Sequence, residues 1–270
     1  MLKRVGTAAV LVPIVLAVLY LDPTPWSTVV SCAIVAWISL DEYLRMALPV
    51  SEDDRGTLLR VVTGLLGVAV VVLPTVLSPG VVLPPLLAGS AIAVGFATLG
   101  RPRHLEAAGR HFGVCLSGLL YVPLLMSVLP LLKRDGLEHW ITLSLSIAFF
   151  SDTVAYFFGR AFGRHKLYEA VSPKKTWQGA FGGVLGSLVA TVGVGSLWLL
   201  PDLPIAHAVV LGVVANICGQ AGDLVESMLK RTYGVKDSSN LLPGHGGMLD
   251  RIDAMVYVAP VVYYYVTQVA

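Results

Sequence analysis

Long apolar runs separated by short polar segments dominate the sequence. A helix that crosses a membrane needs about 20 mostly apolar residues, and nine runs meet that requirement. They cover residues 5–21, 26–48, 57–77, 81–99, 112–132, 140–158, 177–200, 205–222 and 248–269. The second run is the weakest, because Asp41, Glu42 and Arg45 lie in its last turns. The pattern predicts an all-α polytopic integral membrane protein with about nine transmembrane helices.

The first run could be mistaken for a cleaved signal peptide. It has no small-residue cleavage site, and Asp22-Pro23 follows it directly, so we expect a retained span. Composition supports a membrane protein: 56% of the residues are hydrophobic and 13% are charged, whereas a soluble domain has about 25% charged residues. The net charge of +2 gives no indication of nucleic-acid binding.

Basic residues indicate the orientation of these spans. If the N-terminus is cytoplasmic, all but two of the 19 Lys and Arg residues lie at the cytoplasmic ends, and the exceptions are Lys133 and Arg134. Positively charged loops favour the cytoplasmic side. We therefore expect a cytoplasmic N-terminus and, with nine spans, an external C-terminus.

The two halves of the chain differ in their polar content. Spans within residues 1–140 contain few polar groups, whereas from Ser144 onward polar and charged residues collect at the ends expected to face the cytoplasm. We therefore divide the chain into an N-terminal transmembrane part, residues 1–140, and a C-terminal transmembrane catalytic part, residues 141–270, with a site at the cytoplasmic face.

Two lysines precede the seventh predicted span. Ser172 followed by Pro173 is typical of a helix N-cap and first helical residue, which would place Lys174 and Lys175 in the first turn. Cations there oppose the helix dipole, and a bound anion would reverse that effect. Contact with lipid headgroups explains the same lysines equally well, so the spacing leaves both interpretations open.

Acidic residues occur at the cytoplasmic ends of two spans. Asp223 has no cation four residues later, whereas Glu226 has Lys230 at that favourable spacing. An acid at membrane depth without an evident partner is a functional candidate. Asp250 and Asp253 stand three residues apart at the entry to the last span, where acids are also common simply because of the helix dipole.

These acids together suggest a magnesium site. The 26 residues between Asp223 and Asp250 must return to the same membrane face, so we expect these two carboxylates to converge. Mg²⁺ typically binds one or two carboxylates together with substrate phosphates. We predict Asp223 and Asp250 as principal ligands, Asp253, Glu226 and Asp152 as weaker candidates, and a second cation as a further possibility. A hydrogen bond to a neighbouring helix explains Asp152 about as well.

Several motifs in the C-terminal half resemble those of the phosphatidate cytidylyltransferase (CDP-diacylglycerol synthase) family. The matching runs are Ser-Met-Leu-Lys-Arg at 227–231, Lys-Asp at 236–237, Leu-Pro-Gly-His-Gly-Gly at 242–247, Asp-Arg-Ile-Asp at 250–253, Ser-Pro-Lys-Lys-Thr at 172–176 and Asp-Thr-Val-Ala-Tyr at 152–156. The resemblance is specific between about residues 150 and 253. One departure is Gln178, where many members have Glu.

The resemblance implies transfer of a cytidylyl group from CTP to phosphatidic acid, with Mg²⁺ required. It implies catalytic roles for Asp223, Asp250, Lys174 and Lys175. It also implies a homodimer in a bacterial inner membrane with the site facing the cytoplasm. Further residues in the matching runs are expected to bind substrate: Ser172, Thr176, Lys230, Arg231, Lys236, Asp237, His245 and Arg251.

Two alternatives remain open from the sequence. One is a related enzyme that activates an isoprenoid-type lipid phosphate with CTP. The other is an ion-coupled transporter that uses Asp152, Asp223 and Asp250 as ion or proton sites. A transporter would need polar residues or broken helices in both halves, and the first five predicted spans offer little of either.

Overall fold

A computed structural model describes residues 13–48, 55–99, 105–241, 244 and 246–269. Residues 13–20 are helical. The helices that follow are α1 (Trp26–Ala47), α2 (Arg55–Val76), α3 (Pro79–Leu99), α4 (Leu105–Leu119, continued by a π-helical turn at Leu120–Leu124), α5 (Val128–Arg134) and α6 (Glu138–Phe162). Then come strands β1 (Lys166–Tyr168) and β2 (Ser172–Thr176), and helices α7 (Trp177–Leu188, continued by a π-helical stretch at Val189–Leu199), α8 (Ile205–Thr232), α9 (Leu249–Ile252) and α10 (Met255–Gln268).

Seven helical segments within the described residues are long and apolar enough to cross a membrane. They are Trp26–Ala47, Gly56–Val76, Pro79–Leu99, Ala107–Arg134, Glu138–Phe162, Trp177–Leu199 and Ile205–Thr232. Each corresponds to one of the predicted runs, which confirms the helical polytopic fold. Large apolar side chains such as Phe96 and Trp198 are 73% exposed, as expected for surfaces that contact lipid.

The two ends of the predicted series differ from the middle. In the first predicted span, residues 5–21, the first eight residues lie outside the described residues. The last one, residues 248–269, is interrupted: α9 ends at Ile252, and α10 begins at Met255. Asp253 therefore lies in a turn between two helices instead of inside one continuous helix. The count of nine spans and the cytoplasmic N-terminus stay predictions.

The chain forms two compact units. The first comprises Met1–Gly136 and Asp237–Arg251, and the second comprises Leu137–Lys236 and Ile252–Ala270. The segment Asp237–Arg251, which the sequence analysis assigns to the C-terminal part, therefore groups with the N-terminal helices.

In the first unit, α1 packs against α2 and also contacts α4 and α5. Leu40 and Leu44 of α1 are fully buried in this packing. The phenol oxygen of Tyr43 lies 2.8 Å from Ser117 Oγ of α4. A hydrogen bond of this kind satisfies polar groups that lipid could not.

In the second unit, α6 and α7 pack along much of their length, and α8 packs against α7 and α10. The α6–α7 contact is close because α7 presents glycines to it. A Cβ atom at Gly186, for example, would lie 2.3 Å from the carbonyl oxygen of Phe150. Small residues of this kind permit helices to approach closely in membranes. The hairpin β1–β2 leads directly into α7 and positions the lysines of the candidate site.

Candidate active site

A two-stranded antiparallel hairpin carries the two predicted lysines. Lys166 of β1 pairs with Thr176 of β2, and α7 begins only at Trp177. Thr176 is the N-cap: its backbone is extended, and its Oγ1 accepts a hydrogen bond of 3.1 Å from Gly179 N. The predicted N-cap at Ser172 is therefore wrong, because pairing with β1 keeps this segment extended until Thr176 caps the helix.

Lys174 and Lys175 precede helix α7. Both are strand residues of β2, so neither lies in the first helical turn and neither opposes the helix dipole from there. Lys174 is exposed and Lys175 is half-buried. Both lysines line the same cavity, where their charges can contact an anion.

Gln178 of α7 forms hydrogen bonds with the residues that precede β1. Its Oε1 accepts hydrogen bonds from the backbone N–H groups of Arg164, at 3.1 Å, and His165, at 3.2 Å. Its Nε2 lies 2.8 Å from Nδ1 of His165. The Gln side chain thus binds the segment that leads into β1. A carboxylate at this position could accept the same two backbone hydrogen bonds.

Asp223 on α8 has a cationic partner from the hairpin. Lys175 Nζ lies 2.6 Å from Asp223 Oδ2, and Ser227 Oγ donates a 3.5 Å hydrogen bond to Asp223 Oδ1. The expectation that Asp223 lacks a partner is therefore wrong. The spacing rule considers only neighbours on the same helix, whereas this cation comes from another element.

Three carboxylates meet beside this ion pair. Asp223, Glu226 and Asp253 each contribute an oxygen, and these atoms lie within 4.8 Å of one another. Glu226 is completely buried and forms an ion pair with Lys230, which confirms the predicted i,i+4 pair. α8 extends to Thr232, so both acids lie within one helix.

Gly222 permits this convergence. A Cβ atom there would lie 2.6 Å from the carbonyl oxygen of Asp253 and 2.7 Å from the Tyr257 ring. Only glycine lets α8 approach the turn before α10 so closely. Because Gly222 has no Cβ atom, the neighbouring Asp223 can lie beside Asp253, although the two acids are 30 positions apart in the sequence.

The three acids fit a hard divalent cation. Carboxylate oxygens are the ligands that Mg²⁺ and similar ions prefer. Lys175 and Lys230 can balance two of the three negative charges, and a bound cation would relieve the remaining repulsion. Asp253 Oδ1 also accepts a 2.8 Å hydrogen bond from Ala254 N, which orients its carboxylate at the beginning of α10.

A cavity of about 460 Å³ opens beside the Lys175–Asp223 pair. Asp152, Arg160, Lys174 and Gln220 also line it. The cavity brings three cationic side chains, those of Arg160, Lys174 and Lys175, to one space. Such a space suits a ligand with several phosphate groups.

Arg160 and Gln220 were not predicted from the sequence. Arg160 Nη1 donates a 3.1 Å hydrogen bond to the Tyr156 hydroxyl, and Gln220 Nε2 donates to the Ala180 carbonyl at 3.0 Å. Arg160 is one of several basic residues before the hairpin, and this position alone did not distinguish it from the others. A signal was available in its spacing of one α-helical turn from Tyr156 and two turns from Asp152 on α6.

Asp250 is held by the first unit. Its Oδ2 accepts hydrogen bonds from Ser238 N and Ser238 Oγ, both at 2.9 Å, and from Gly247 N at 2.8 Å. Asp250 belongs to the first unit, whereas Asp223, Glu226 and Asp253 belong to the second. Its role as a metal ligand stays a prediction.

The remaining predicted substrate-binding residues are more exposed. Lys236, Asp237 and Arg251 are exposed, and so is Arg231, whose Nη1 donates a 3.0 Å hydrogen bond to the Val235 carbonyl. His245 lies outside the described residues. Roles for these side chains in substrate binding stay predictions.

The chain is similar to known proteins over most of its length. Residues 2–269 match the family model described as the Cytidylyltransferase family. A phosphatidate cytidylyltransferase from Staphylococcus saprophyticus is 34% identical over 239 residues, which cover 84% of this chain and 85% of that protein. A protein of the same name from Staphylococcus aureus strain COL is 35% identical, over 84% of this chain and 85% of that protein. Another, from Staphylococcus haemolyticus, is 38% identical, over 66% of each chain. The chain therefore belongs to the cytidylyltransferase family.

Proposed function

We propose that this protein transfers the cytidylyl group of CTP to phosphatidic acid, with CDP-diacylglycerol and pyrophosphate as products. Family membership supports the nucleotidyl transfer, and the relatives named phosphatidate cytidylyltransferase support the lipid acceptor. The product is a precursor for phospholipid biosynthesis.

The observation that carries the proposal is the Lys175–Asp223 ion pair at 2.6 Å. On one side, Asp223 belongs to the three-carboxylate cluster. On the other side, Lys175 lines a cavity together with Lys174 and Arg160. The carboxylates, which suit a cation, therefore lie next to the cationic side chains, which suit phosphates. A nucleotide with its metal ion requires both.

In the proposed reaction, an oxygen of the lipid phosphate attacks the α-phosphorus of CTP. A new P–O bond forms, the bond from the α-phosphorus to the oxygen that bridges to the β-phosphorus breaks, and pyrophosphate leaves with that electron pair. No general base is required, because a phosphomonoester with a second pKa near 6 is mostly dianionic at pH 7. Positioning of two anions and stabilisation of their charge are then the main tasks of the protein.

The side chains of the cavity can perform those tasks. Lys174, Lys175 and Arg160 would hold phosphate oxygens of the nucleotide and so lower the repulsion between the two substrates. Asp223, Glu226 and Asp253 would hold Mg²⁺. Asp250, which the sequence predicts as a principal ligand, and Asp152, a weaker candidate, are further members of the proposed set. A bound divalent cation would neutralise charge on the nucleotide phosphates. A second cation remains part of this proposal.

The proposed site faces the cytoplasm. A soluble nucleotide must meet a lipid headgroup there, and the distribution of Lys and Arg favours that side. The named relatives are bacterial proteins, so the plasma membrane is the proposed location. A homodimer is proposed from the family resemblance alone.

The proposal is tested with purified protein in detergent or lipid vesicles. CTP is added with Mg²⁺ and a panel of acceptors: phosphatidic acid, an isoprenoid phosphate, and diacylglycerol, which has no phosphate. We expect pyrophosphate release and CDP-lipid formation only with phosphatidic acid. Product from the isoprenoid phosphate alone would assign a different acceptor, and no product from either phosphate would contradict nucleotidyl transfer to lipids.

A further inference from the structure

Glu42 of α1 has a buried carboxylate, and four hydrogen-bond donors of other residues lie within hydrogen-bond distance of its two oxygens. Its side chain belongs to the first unit, and the residue is only 4% exposed. Oε1 accepts from Ser239 Oγ at 2.6 Å and from Met248 N at 3.0 Å. Oε2 accepts from Ser238 Oγ at 3.0 Å and from Leu249 N at 2.8 Å. Each oxygen thus binds one hydroxyl and one backbone N–H.

All four donors come from one segment about 200 positions away in the sequence. We call the described residues of Asp237–Arg251 the C-terminal loop. The two donors in Ser238 and Ser239 lie near its beginning, and the two backbone donors lie near its end. The single carboxylate of Glu42 therefore ties both ends of the C-terminal loop to α1.

Gly247 shows how closely the C-terminal loop surrounds this carboxylate. A Cβ atom at Gly247 would lie 2.0 Å from Ser238 Oγ and 2.5 Å from Glu42 Oε2. Any larger residue would push the two ends of the loop apart or displace Glu42. The arrangement depends on a glycine at this position.

Asp250 binds the same serine from within the loop. Its Oδ2 lies 2.9 Å from Ser238 Oγ, which also lies 3.0 Å from Glu42 Oε2. Because a hydroxyl carries one hydrogen, Ser238 can donate to only one of the two carboxylates at a time. The positions of Glu42 and Asp250 are thus linked through Ser238.

Stability alone is a poor explanation for this arrangement. Burying a carboxylate is costly, and an apolar side chain of similar size often serves a core at least as well. A carboxylate that accepts hydrogen bonds from both ends of a loop instead specifies one loop conformation. The loop contains residues with predicted substrate roles: Asp237 precedes Ser238, and Asp250 follows Leu249.

We propose that Glu42 is a positioning residue, whose carboxylate holds the C-terminal loop in the conformation that supports nucleotidyl transfer. This inference rests on the proposed function, because it assigns the loop a part in that reaction. Glu42 acts through Ser238, Ser239, Met248 and Leu249, and contact with substrate is not required. Through Glu42, helix α1 would contribute to the proposed reaction indirectly.

The main test compares Glu42→Gln with Glu42→Asp and with Asp41→Asn. A Gln side chain replaces one accepting oxygen by an NH₂ group, which would face a backbone N–H of Met248 or Leu249. Asp keeps both accepting oxygens but is shorter by one methylene. Asp41 is the matched control, because it is the adjacent acid of the same helix and pairs with Arg45 and Arg60 instead of the loop.

We expect Glu42→Gln to lower kcat/KM for CTP by about 10- to 100-fold, the effect of losing one to two hydrogen bonds to a charged group. Glu42→Asp should recover part of that loss. Asp41→Asn should remain within about twofold of wild type, because the ion pairs of Asp41 are with Arg45 and Arg60. Thermal unfolding measured in parallel separates folding from function. Wild-type activity of Glu42→Gln, or losses in both Glu42 variants that only match the fraction of unfolded protein, would overturn the proposal.

A second variant reaches the loop without removing the charge. Gly247→Ala should reproduce the loss of kcat/KM, while Gly113→Ala should not, because a Cβ atom at Gly113 has no neighbour within 4 Å. Full activity of Gly247→Ala would contradict the need for this loop conformation.

Hydrogen exchange separates this inference from the proposed function. In Glu42→Gln, peptides that contain Ser238 and Leu249 should exchange faster than in wild type, and in Asp41→Asn they should not. If wild-type protein forms no CDP-lipid, the proposed function fails, yet faster exchange would still support the tie between Glu42 and the loop. Unchanged exchange would overturn that tie whatever the activity.

Discussion

Lys175 Nζ lies 2.6 Å from Asp223 Oδ2, and this contact joins a strand residue to a helix residue 48 positions later in the sequence. It places a cation at the boundary between a carboxylate cluster and a cavity that contains two further cationic side chains. Lys175 can therefore contribute in two ways, by orienting Asp223 and by binding an anion in the cavity.

Replacement of the two lysines should impair catalysis more than folding. Lys175→Gln should lower kcat by about 100- to 1,000-fold if its charge acts mainly in the transition state. Lys174→Gln should have a smaller effect, because Lys174 is exposed and has a less fixed position. CDP-lipid formation at saturating CTP and phosphatidic acid measures both variants.

Arg45→Gln is the control for these lysine variants. Arg45 forms an exposed pair with Asp41, and exposed pairs contribute little to stability, so its activity should stay near that of wild type. Near-normal activity in the Lys174→Gln, Lys175→Gln double variant would eliminate the proposed phosphate-binding role.

The acidic cluster should determine the metal requirement. Asp223→Asn and Asp253→Asn each remove a negative charge from a site suited to a divalent cation. We expect both variants to lose most activity at limiting Mg²⁺ and to require a higher Mg²⁺ concentration for half-maximal rate. The rate is measured against Mg²⁺ at constant free CTP, and Asp202→Asn, at an exposed residue, is the control.

Asp250→Asn distinguishes a metal ligand from a loop anchor. As a ligand, Asp250 should share the altered Mg²⁺ dependence of the Asp223 variant. As an anchor for Ser238 and Gly247, it should lower the rate without changing that dependence. Full activity of both Asp223→Asn and Asp250→Asn at limiting Mg²⁺ would show that these acids are structural.

Much of the fold could be predicted from the sequence, because lipid forces apolar runs to become helices. The acids Asp223, Glu226 and Asp253 could be found as well, since charged residues at the ends of apolar runs are conspicuous. The Lys230 partner of Glu226 could be found from its i,i+4 spacing, but the Lys175 partner of Asp223 could not. Lys175 reaches Asp223 only because residues 172–176 form a strand, and the Ser-Pro pair suggested a helix start instead.

Glu42 shows the same difficulty more strongly. In the sequence it only weakens an apolar run, and its four donors follow about 200 positions later. Periodicity relates residues within one element, so it cannot reveal contacts of this range. Arg160 was missed for a related reason, because its proposed role depends on the cavity that it lines together with residues of the hairpin.

Gln178 should tolerate Glu but not Ala. Its Oε1 accepts from two backbone N–H groups, those of Arg164 and His165, and a carboxylate can do the same. Gln178→Glu should therefore retain activity within about threefold, since the imidazole of His165 can carry its proton on Nδ1 and donate to the carboxylate. Gln178→Ala leaves both N–H groups without this acceptor and should lower the unfolding free energy by about 1–3 kcal/mol.

Limited proteolysis of the β1–β2 hairpin measures the Gln178 effect directly. We expect faster cleavage at Lys166 in Gln178→Ala and wild-type rates in Gln178→Glu. Equal cleavage rates in all three proteins would mean that Gln178 does not hold the hairpin.

The predicted orientation can be tested by cysteine labelling. In a background in which the three native cysteines are replaced, Glu169→Cys reports on the hairpin and Asp202→Cys reports on the turn between α7 and α8; both positions are exposed. A membrane-impermeant maleimide added to intact cells should label residue 202, and residue 169 only after the membrane is opened. Labelling of both from one side would contradict the orientation.

Gly222 provides the sharpest test of the cluster geometry, because it is not itself a ligand. A Cβ atom at this position would lie 2.6 Å from the backbone oxygen of Asp253, a contact that real structures avoid. Gly222→Ala should therefore push α8 away from the turn before α10 and separate Asp223 from Asp253. Overpacking of this kind costs about 1–3 kcal/mol, so the variant should still fold.

We expect Gly222→Ala to require more Mg²⁺ for half-maximal activity, as the Asp253 variant does, with all three carboxylates still present. Gly193→Ala is the matched control. It lies in the extension of α7, is exposed, and a Cβ atom there has no neighbour within 4 Å. Because alanine favours a helix over glycine, this control should be as stable as wild type and keep its Mg²⁺ dependence. If Gly222→Ala also keeps the wild-type Mg²⁺ dependence, the close approach of α8 to Asp253 does not form the metal site, and the three acids are held together for another reason.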